Sequence, residues 1–539
     1  MNTNIREYIK NNIVYLDGGL GSLLQNKGLN PGELPELWNL SHPEIITSIH
    51  KDYFDAGSNI INTNTFGANL LKFSKKELDS IICAAVNNAK KARELSASTH
   101  PKWIALDIGP TGRMLSPYGD FDFEEAVETF AYTIKLGVKY NVDLIFIETM
   151  SDSYETKAAL LAAKENSSLP VFVSNSYGED EKLLTGANPA SMIALLEGMG
   201  ADAIGVNCSL GPKALTAVMK EYIKYSSTPI ILKPNAGMPQ HTNNSITYNI
   251  SPLDFAAECS KLIQKGINIV GGCCGTTPEY IRILKEETNN LSFNKITDKN
   301  ISMVSSYTHA VEFGQTPILI GERINPTGKK LFKEALKNNN MDYILREGIS
   351  QQEAGVNILD VNVGLPEIDE VTVLKNAVCE LQAIIDLPLQ IDTSNVAAME
   401  LALRRYNGKA LINSVNGKQE VMDAIFPLAK KYGGIIIALT LDDDGIPDEP
   451  FRRLNIAKHI LKEAEKYGIN KKDIIFDPLT LTISTNHMAG INTLTALSLI
   501  KNDLHCNTSL GISNVSFGLP KRELLNSTFF SLALSKGLS

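Results

Sequence analysis

Short apolar runs recur along the chain, and each stops at glycine or at polar residues. In the first half they fall at residues 13–16, 59–62, 103–106, 144–147, 171–173, 203–206, 230–232 and 267–270. Between them lie stretches with helical apolar spacing, such as 123–140 and 153–165. Strands that alternate with helices predict parallel βαβ units. Eight such units before residue 280 predict a closed (β/α)8 barrel, whose usual size is ~250 residues. A doubly wound sheet is the rival, but it needs a glycine-rich dinucleotide turn. The nearest candidate, Gly19-Leu-Gly21-Ser-Leu-Leu24, lacks the third glycine. Residues 289–315 lose the period and read as a linker with some local structure. The rhythm then restarts at 317–320, 357–359, 389–391, 410–412, 434–441, 474–476 and 510–512, followed by a helix-like run over 522–534. The predicted fold is therefore α/β: two (β/α)8 TIM-type barrels in tandem, the second lacking its eighth strand. The predicted domains are 1–290, a linker 291–315, and 316–539. A seven-stranded barrel keeps two open edges, which invite pairing.

Composition narrows the function classes. The 539 residues are 43% hydrophobic and 21% charged, ordinary for a globular chain. A net charge of −9 gives no electrostatic case for nucleic acid or an anionic membrane. Seven scattered cysteines do not make a disulfide framework, so a reducing, cytoplasmic setting is expected. The first residues lack the apolar core of a signal peptide. No apolar run approaches the ~20 residues of a membrane helix.

The candidate chemistry gathers at the strand ends, where barrels of this kind build their sites. Gly271-Gly-Cys-Cys-Gly275 follows the eighth run, and Cys208 follows the sixth. Neighbouring side chains on a regular strand point to opposite faces. The flanking glycines permit a bend that turns Cys273 and Cys274 toward one point. With Cys208 they would make a three-thiolate zinc site with an open fourth position. The competing reading is three buried apolar cysteines, which is how Cys83, Cys259, Cys379 and Cys506 are read. Asp17, Glu148 and Asn235 also stand at strand ends and should converge on the same mouth. For the acidic pair, helix capping is the alternative.

Asp17-Gly-Gly-Leu-Gly21, Asn62-Thr-Asn-Thr-Phe-Gly-Ala-Asn69, Glu148-Thr-Met-Ser-Asp152, Gly205-Val-Asn-Cys208 and the paired-cysteine motif together resemble the homocysteine S-methyltransferase family, over about residues 10–290. The resemblance implies that Cys208, Cys273 and Cys274 bind Zn2+ and that homocysteine fills the open position. It places Glu148 on the substrate amine. Asp17, Gly18 and Gly19 would help hold the substrate, and Asn235 would occupy the metal when no substrate is bound.

The second half resembles the pterin-binding barrels, specifically methyltetrahydrofolate methyltransferases, over about residues 316–538. Asp392, Asn413 and Asp477 match positions that hydrogen-bond the pterin ring, with Asn325, Asp360 and Ser513 at neighbouring strand ends. Asn514 matches the residue at N5 of 5-methyltetrahydrofolate and is the implied catalytic group. Buried carboxylates and amides suit the donors and acceptors of a pterin edge. Helix capping explains any one of these residues but not so many together.

The order of the two halves resembles the front of the cobalamin-dependent methionine synthases. Their corrinoid signature, Asp-x-His-x-x-Gly, is approached only by Asp503-Leu-His505-Cys-Asn-Thr508, which lacks the glycine. Cobalamin would thus come from another module or chain. The implied activity is methyl transfer from 5-methyltetrahydrofolate, through a corrinoid, to homocysteine. Two alternatives stay open: a corrinoid-independent enzyme using a sulfonium donor, and a non-catalytic zinc- and folate-binding protein.

Overall fold

The apolar runs fold as strands buried on both faces, as parallel barrel strands are. The computed structural model describes residues 4–242, 245–295 and 297–539. It divides into units Met1–Lys299 and Asn300–Ser539. No helix of the described residues is long and apolar enough to cross a membrane.

In the first unit the strands are β1 (Val14–Tyr15), β2 (Ile60–Asn62), β3 (Trp103–Ile108), β4 (Leu144–Met150), β5 (Val171–Asn175), β6 (Ala203–Asn207) and β7 (Ile230–Lys233). A hairpin, β8 (Pro239–Thr242) and β9 (Ser245–Tyr248), precedes β10 (Ile269–Val270). The parallel sheet runs β1-β10-β7-β6-β5-β4-β3-β2. A bridge between Leu16 and Ile60 joins its ends, so the barrel closes. The helices between strands carry side-chain caps: Ser74 with Glu77 boxes Lys75–Leu95, Asp122 caps Phe123–Lys139, and Asp152 caps Ser153–Asn166.

Val14, Leu16, Ile60, Leu144, Phe146, Phe172, Ile231 and Ile269 fill the barrel. Ile5 and Ile9 of the helix Ile5–Ile9 join that cluster, and Tyr8 packs 5.3 Å from the Trp103 ring. Asn268 donates to the Ile9 carbonyl at 2.7 Å. Trp103 and Asn268 stand where strands begin, so the helix stoppers that end. The opposite, C-terminal end is left for chemistry.

The second unit opens with an antiparallel hairpin, β11 (Met303–Ser305) and β12 (Ala310–Glu312), inside the stretch read as a linker. Seven parallel strands follow in chain order: β13 (Ile320–Ile324), β14 (Ile358–Val361), β15 (Leu389–Asp392), β16 (Leu411–Asn416), β17 (Ile435–Leu439), β18 (Ile474–Asp477) and β19 (Asn507–Thr508). Val304 and Phe313 pack with Ile358, Leu411, Ile435, Ile437 and Ile475. The Ser305 N–H donates to the Lys409 carbonyl at 2.9 Å, just ahead of β16. The hairpin thus stoppers this barrel as the N-terminal helix stoppers the first.

The seventh strand corrects the expectation from the apolar pattern. Residues 510–512 are not strand. Asn507 and Thr508 pair with Ile475 and Phe476, and Ile512–Ser516 is a 3-10 turn. The apolar residues Leu510 and Ile512 instead line a cavity of about 220 Å³ between β19 and β13, with Ile318, Ile320, Phe530 and Leu538. Hydrophobicity marked the cavity wall, whereas hydrogen bonding chose the polar pair beside it. Among the described residues no strand joins β19 to β13. Ser539 touches both edges: its N–H donates to Thr508 O at 3.2 Å and its carbonyl accepts from Ile318 N at 2.9 Å.

Lys409 and Asp473 form a largely buried ion pair at 2.6 Å below β16. Lys409→Met leaves the Asp473 carboxylate without its cation, and is expected to cost about 3 kcal/mol. Hydrogen exchange of the β16–β18 amides in urea should report that loss. Fluorescence of Trp38 and Trp103, both in the first unit, should not move.

Candidate active sites

In the first unit the loops after β6 and β10 bring three thiols together. Cys208 and Ser209 both take left-handed backbone conformations, φ 61° and 57°. This unusual pair turns the Cys208 side chain back over the barrel mouth. Hydrogen bonds hold the other loop: Gly272 N to Asp17 O at 3.0 Å and Cys273 N to Pro234 O at 2.8 Å. Gly275 has φ 80°, and a Cβ there would lie 2.3 Å from the Tyr248 ring. The expected bend is therefore present, and glycine is required for it. The sulfurs of Cys208, Cys273 and Cys274 lie within 4.8 Å of one another, and Cys208 and Cys274 are 3.9 Å apart. One thiol hydrogen bond lowers each outer cysteine, but the other thiol hydrogen bond, burial and the charge of a neighbouring cysteine outweigh it and push Cys208 up to about 11 and Cys274 to about 12. They are cysteines that need a cation to ionise at neutral pH.

Beside them is a cavity of about 250 Å³, lined by the three cysteines and by Asp17, Gly18, Gly19, Asn62, Asp107, Glu148 and Lys233. Lys233, at the end of β7, was not recognised from sequence. It is buried, with its Nζ 3.1 Å from Glu148 Oε2 and 3.4 Å from Asp17 Oδ1. Burial alone would discharge this lysine, but Glu148 and Asp17 outweigh burial and raise its pKa well above the usual range. Asp17 is pushed up to about 6 by burial, against the pull of Lys233 and of the Asn62 N–H at 2.7 Å. Asp107 is driven well above the carboxylate range by burial and by the charge of Glu148. Asp107 Oδ1 and both polar atoms of the Asn62 amide are buried without a hydrogen-bond partner, while Asp17 Oδ1 faces the Lys233 ammonium at 3.4 Å. Unsatisfied groups of this kind mark a place where a ligand supplies the partners. Asn235 is buried and its Oδ1 accepts from the Cys274 N–H at 3.1 Å.

In the second unit Asp392 and Asp477 end β15 and β18, and Asp360 is the last residue but one of β14. Burial and then the Asp392 charge raise Asp360 well above its usual range, and burial raises Asp392. Asp477 is pushed up to about 7 by burial, opposed by the Leu479 N–H at 2.7 Å and by Arg453. Glu322, in the middle of β13, adds a raising charge at all three aspartates, so they face one region. Asn362 donates to Asp392 at 2.8 Å, and Gln390 donates to Asp360. Asn413 lies beside Asp392 in the β15–β16 ladder. Asn325 is half-buried and its Oδ1 accepts from Thr327 N at 2.9 Å. Ser513 and Asn514 stand exposed on the 3-10 turn rather than at a strand end. Glu322, Asn362, Gln390 and Arg453 were missed. Only the Gly321-Glu322 and Asn362 positions, next to strand runs, offered any signal.

A family model described as homocysteine S-methyltransferase matches residues 14–288, and one described as pterin binding enzyme matches residues 321–539. The chain is 28% identical over 99% of its length to the methionine synthase of Mycobacterium leprae, of which it covers 47%. It is 29% identical, again over 99% of its length, to that of Mycobacterium tuberculosis, of which it covers 48%. It thus spans about half the length of the curated relatives it matches. The apo homocysteine methyltransferase MmuM of Escherichia coli is a solved structure with 24% identity and a TM-score of 0.43; the match covers 52% of this chain and 97% of that one. Because the first family match takes in just over half of the chain and all three clustered cysteines, this chain belongs to the homocysteine S-methyltransferase family and by that membership is a methyltransferase.

Proposed function

We propose that the chain moves a methyl group from 5-methyltetrahydrofolate to homocysteine, giving tetrahydrofolate and methionine, with cobalamin from another module or chain as the carrier. One observation carries this reading: a three-thiol cluster beside buried carboxylates shares a chain with a second barrel whose strand ends are ringed by acceptors. A nucleophile site and a pterin site are the two halves such a transfer needs.

The thiol cluster fits zinc. Two thiolates held at ~2.3 Å by one tetrahedral ion lie ~3.8 Å apart, and Cys208 and Cys274 are 3.9 Å apart. Three cysteine ligands leave the fourth position for the substrate sulfur, or for Asn235 when substrate is absent. Zinc bound there supplies the Lewis acidity that keeps a substrate thiol ionised at neutral pH. Asp17 and Glu148 receive the substrate ammonium, and the unpartnered Asp107 Oδ1 provides a further acceptor for it. Lys233 offsets part of the negative charge those carboxylates carry. Gly18 and Gly19 line the cavity and admit the substrate backbone.

In the other unit Asp392, Asn413 and Asp477 hold the pterin edge, with Asp360, Asn325 and Ser513 around it and Asn514 near N5. In the net reaction an S–C bond forms and the N5–C bond breaks. N5 keeps the electron pair and takes up the proton that the thiol loses.

Turnover tests the whole reading. With homocysteine and 5-methyltetrahydrofolate the chain should form methionine only when a corrinoid is added. Methionine without corrinoid would overturn the carrier. Methionine from S-methylmethionine without corrinoid would favour a sulfonium donor instead.

Metal analysis should find about one zinc per chain, as one three-ligand site implies. Cys208→Ser, Cys273→Ser and Cys274→Ser should each lose most of the metal and all homocysteine methylation. A triple variant as zinc-loaded as wild type would end the assignment.

Folate affinity should depend on pH through Asp477. The carboxylate form accepts from the pterin donors, and its pKa in the empty site is about 7. Below that value a proton must be displaced, so affinity should fall by up to about tenfold per pH unit. Calorimetry of Asp477→Asn should show weaker binding by about 1–3 kcal/mol at pH 8, without that dependence. An unchanged pH profile in the variant would remove Asp477 from the site.

A further inference from the structure

Arg453, near the start of the helix Pro450–Lys466, heads the fully buried side chains by volume among the described residues. A buried guanidinium is costly, and such groups are usually set against a carboxylate. The hydrogen bonds of Arg453 go elsewhere. Nε donates to Pro447 O at 2.7 Å. Nη1 donates to Pro478 O at 2.8 Å, to Leu479 O at 3.0 Å and to Thr493 Oγ1 at 3.2 Å. Nη2 is buried with no partner. The arginine therefore ties the loop after β17 to the turn after β18.

That turn needs holding. Leu479 has φ 66°, a left-handed conformation that a leucine rarely adopts. Its carbonyl accepts from Arg453 and also from Thr493 Oγ1 at 3.0 Å. In this conformation its N–H points back to Asp477 Oδ1 at 2.7 Å. One carboxylate oxygen is thus occupied by the turn, which leaves Oδ2 to face a ligand. We infer that Arg453 is a positioning residue of the second site: it fixes the Asp477–Leu479 turn so that Asp477 presents one oxygen to the ligand, and it places a positive charge beside that carboxylate. The inference rests on the folate reading of this unit.

The charges around Asp477 give the sign. Glu322 on β13 raises its pKa, Arg453 lowers it, and Asp448 acts on Arg453 from the β17 loop. Removing the arginine charge leaves only the Leu479 N–H to oppose burial and Glu322, so Asp477 should hold its proton to higher pH. A residue that merely braced the fold would lower affinity equally at every pH.

The experiment is calorimetry of 5-methyltetrahydrofolate binding to the full chain between pH 6 and 9. Arg453→Gln removes the charge and keeps a donor. It should shift the midpoint of the affinity profile up by about one pH unit, weakening binding about fivefold at pH 7 and far less at pH 9. Thr493→Val removes a neutral hydroxyl that holds the same turn from the helix Ala489–Leu499, and should weaken binding without moving the midpoint. Arg453→Lys keeps the charge, so the midpoint should stay. One ammonium cannot serve three carbonyls on two loops, so its affinity should fall about threefold or more at all pH values. A wild-type midpoint in Arg453→Gln overturns the charge role. Wild-type affinity in Arg453→Lys overturns the positioning role, and this arm stands even if the Gln variant does not fold. Wild-type chain that binds no folate at any pH would fail the folate reading itself; binding with unmoved midpoints fails only the inference.

Discussion

Charge held in a dry place governs both barrels. In the first, the Lys233 ammonium lies 3.1 Å from Glu148 and 3.4 Å from Asp17, all three side chains almost completely buried. Each of these charges would be expelled or neutralised alone, because desolvation costs more than an isolated group can recover. Together they persist, and they do so within the cavity that the cysteines line. Asp17 and Glu148 together exceed the single lysine, and Asp107, facing the same charges, is driven toward its protonated form. The residual negative potential and the unpartnered oxygens are what make the cavity suited to a cationic amino group rather than merely polar.

The second barrel solves the same problem differently. Its aspartates have no buried lysine among them. Burial raises their pKa values, with Glu322 adding to each and Asp392 adding at Asp360. Neutral amides then do the orienting: Asn362 on Asp392 and Gln390 on Asp360. The cation that does act there, Arg453, reaches Asp477 through a turn of backbone rather than by direct pairing. A site of carboxyls whose pKa values burial raises suits a flat heterocycle whose edge donates and accepts, whereas fixed ions suit a zwitterion.

Closure separates the two units as well. The first ring is completed by a two-residue strand and one bridge, Leu16 to Ile60. The second leaves a cavity between β19 and β13 that Ser539 spans by hydrogen bonds. In each unit a local element fills the end where strands begin, a helix in one and a hairpin in the other. The chemistry is thereby confined to the strand ends that the sequence pattern had already marked.

The alternation of short apolar runs with helical spacing was enough to determine the barrel repeat, because a strand buried on both faces has to be continuously apolar. The polar residues after each run were legible for the same reason: a carboxylate or cysteine adjoining a buried strand is out of keeping with its surroundings. The paired cysteines between glycines carried their own geometry, since the bend needs Gly275 at φ 80°. What only the tertiary structure decided is which of these groups face each other. Lys233 ends an apolar strand like any solvent-facing lysine, and only barrel closure brings Asp17 and Glu148 to it from β1 and β4. Arg453 sits on a helix that reads as amphipathic, and its burial depends on two loops far apart in sequence. The last strand was misplaced because hydrophobicity measures burial, while strand pairing is decided by which backbone groups find partners: Asn507 and Thr508 did, and the apolar residues after them did not.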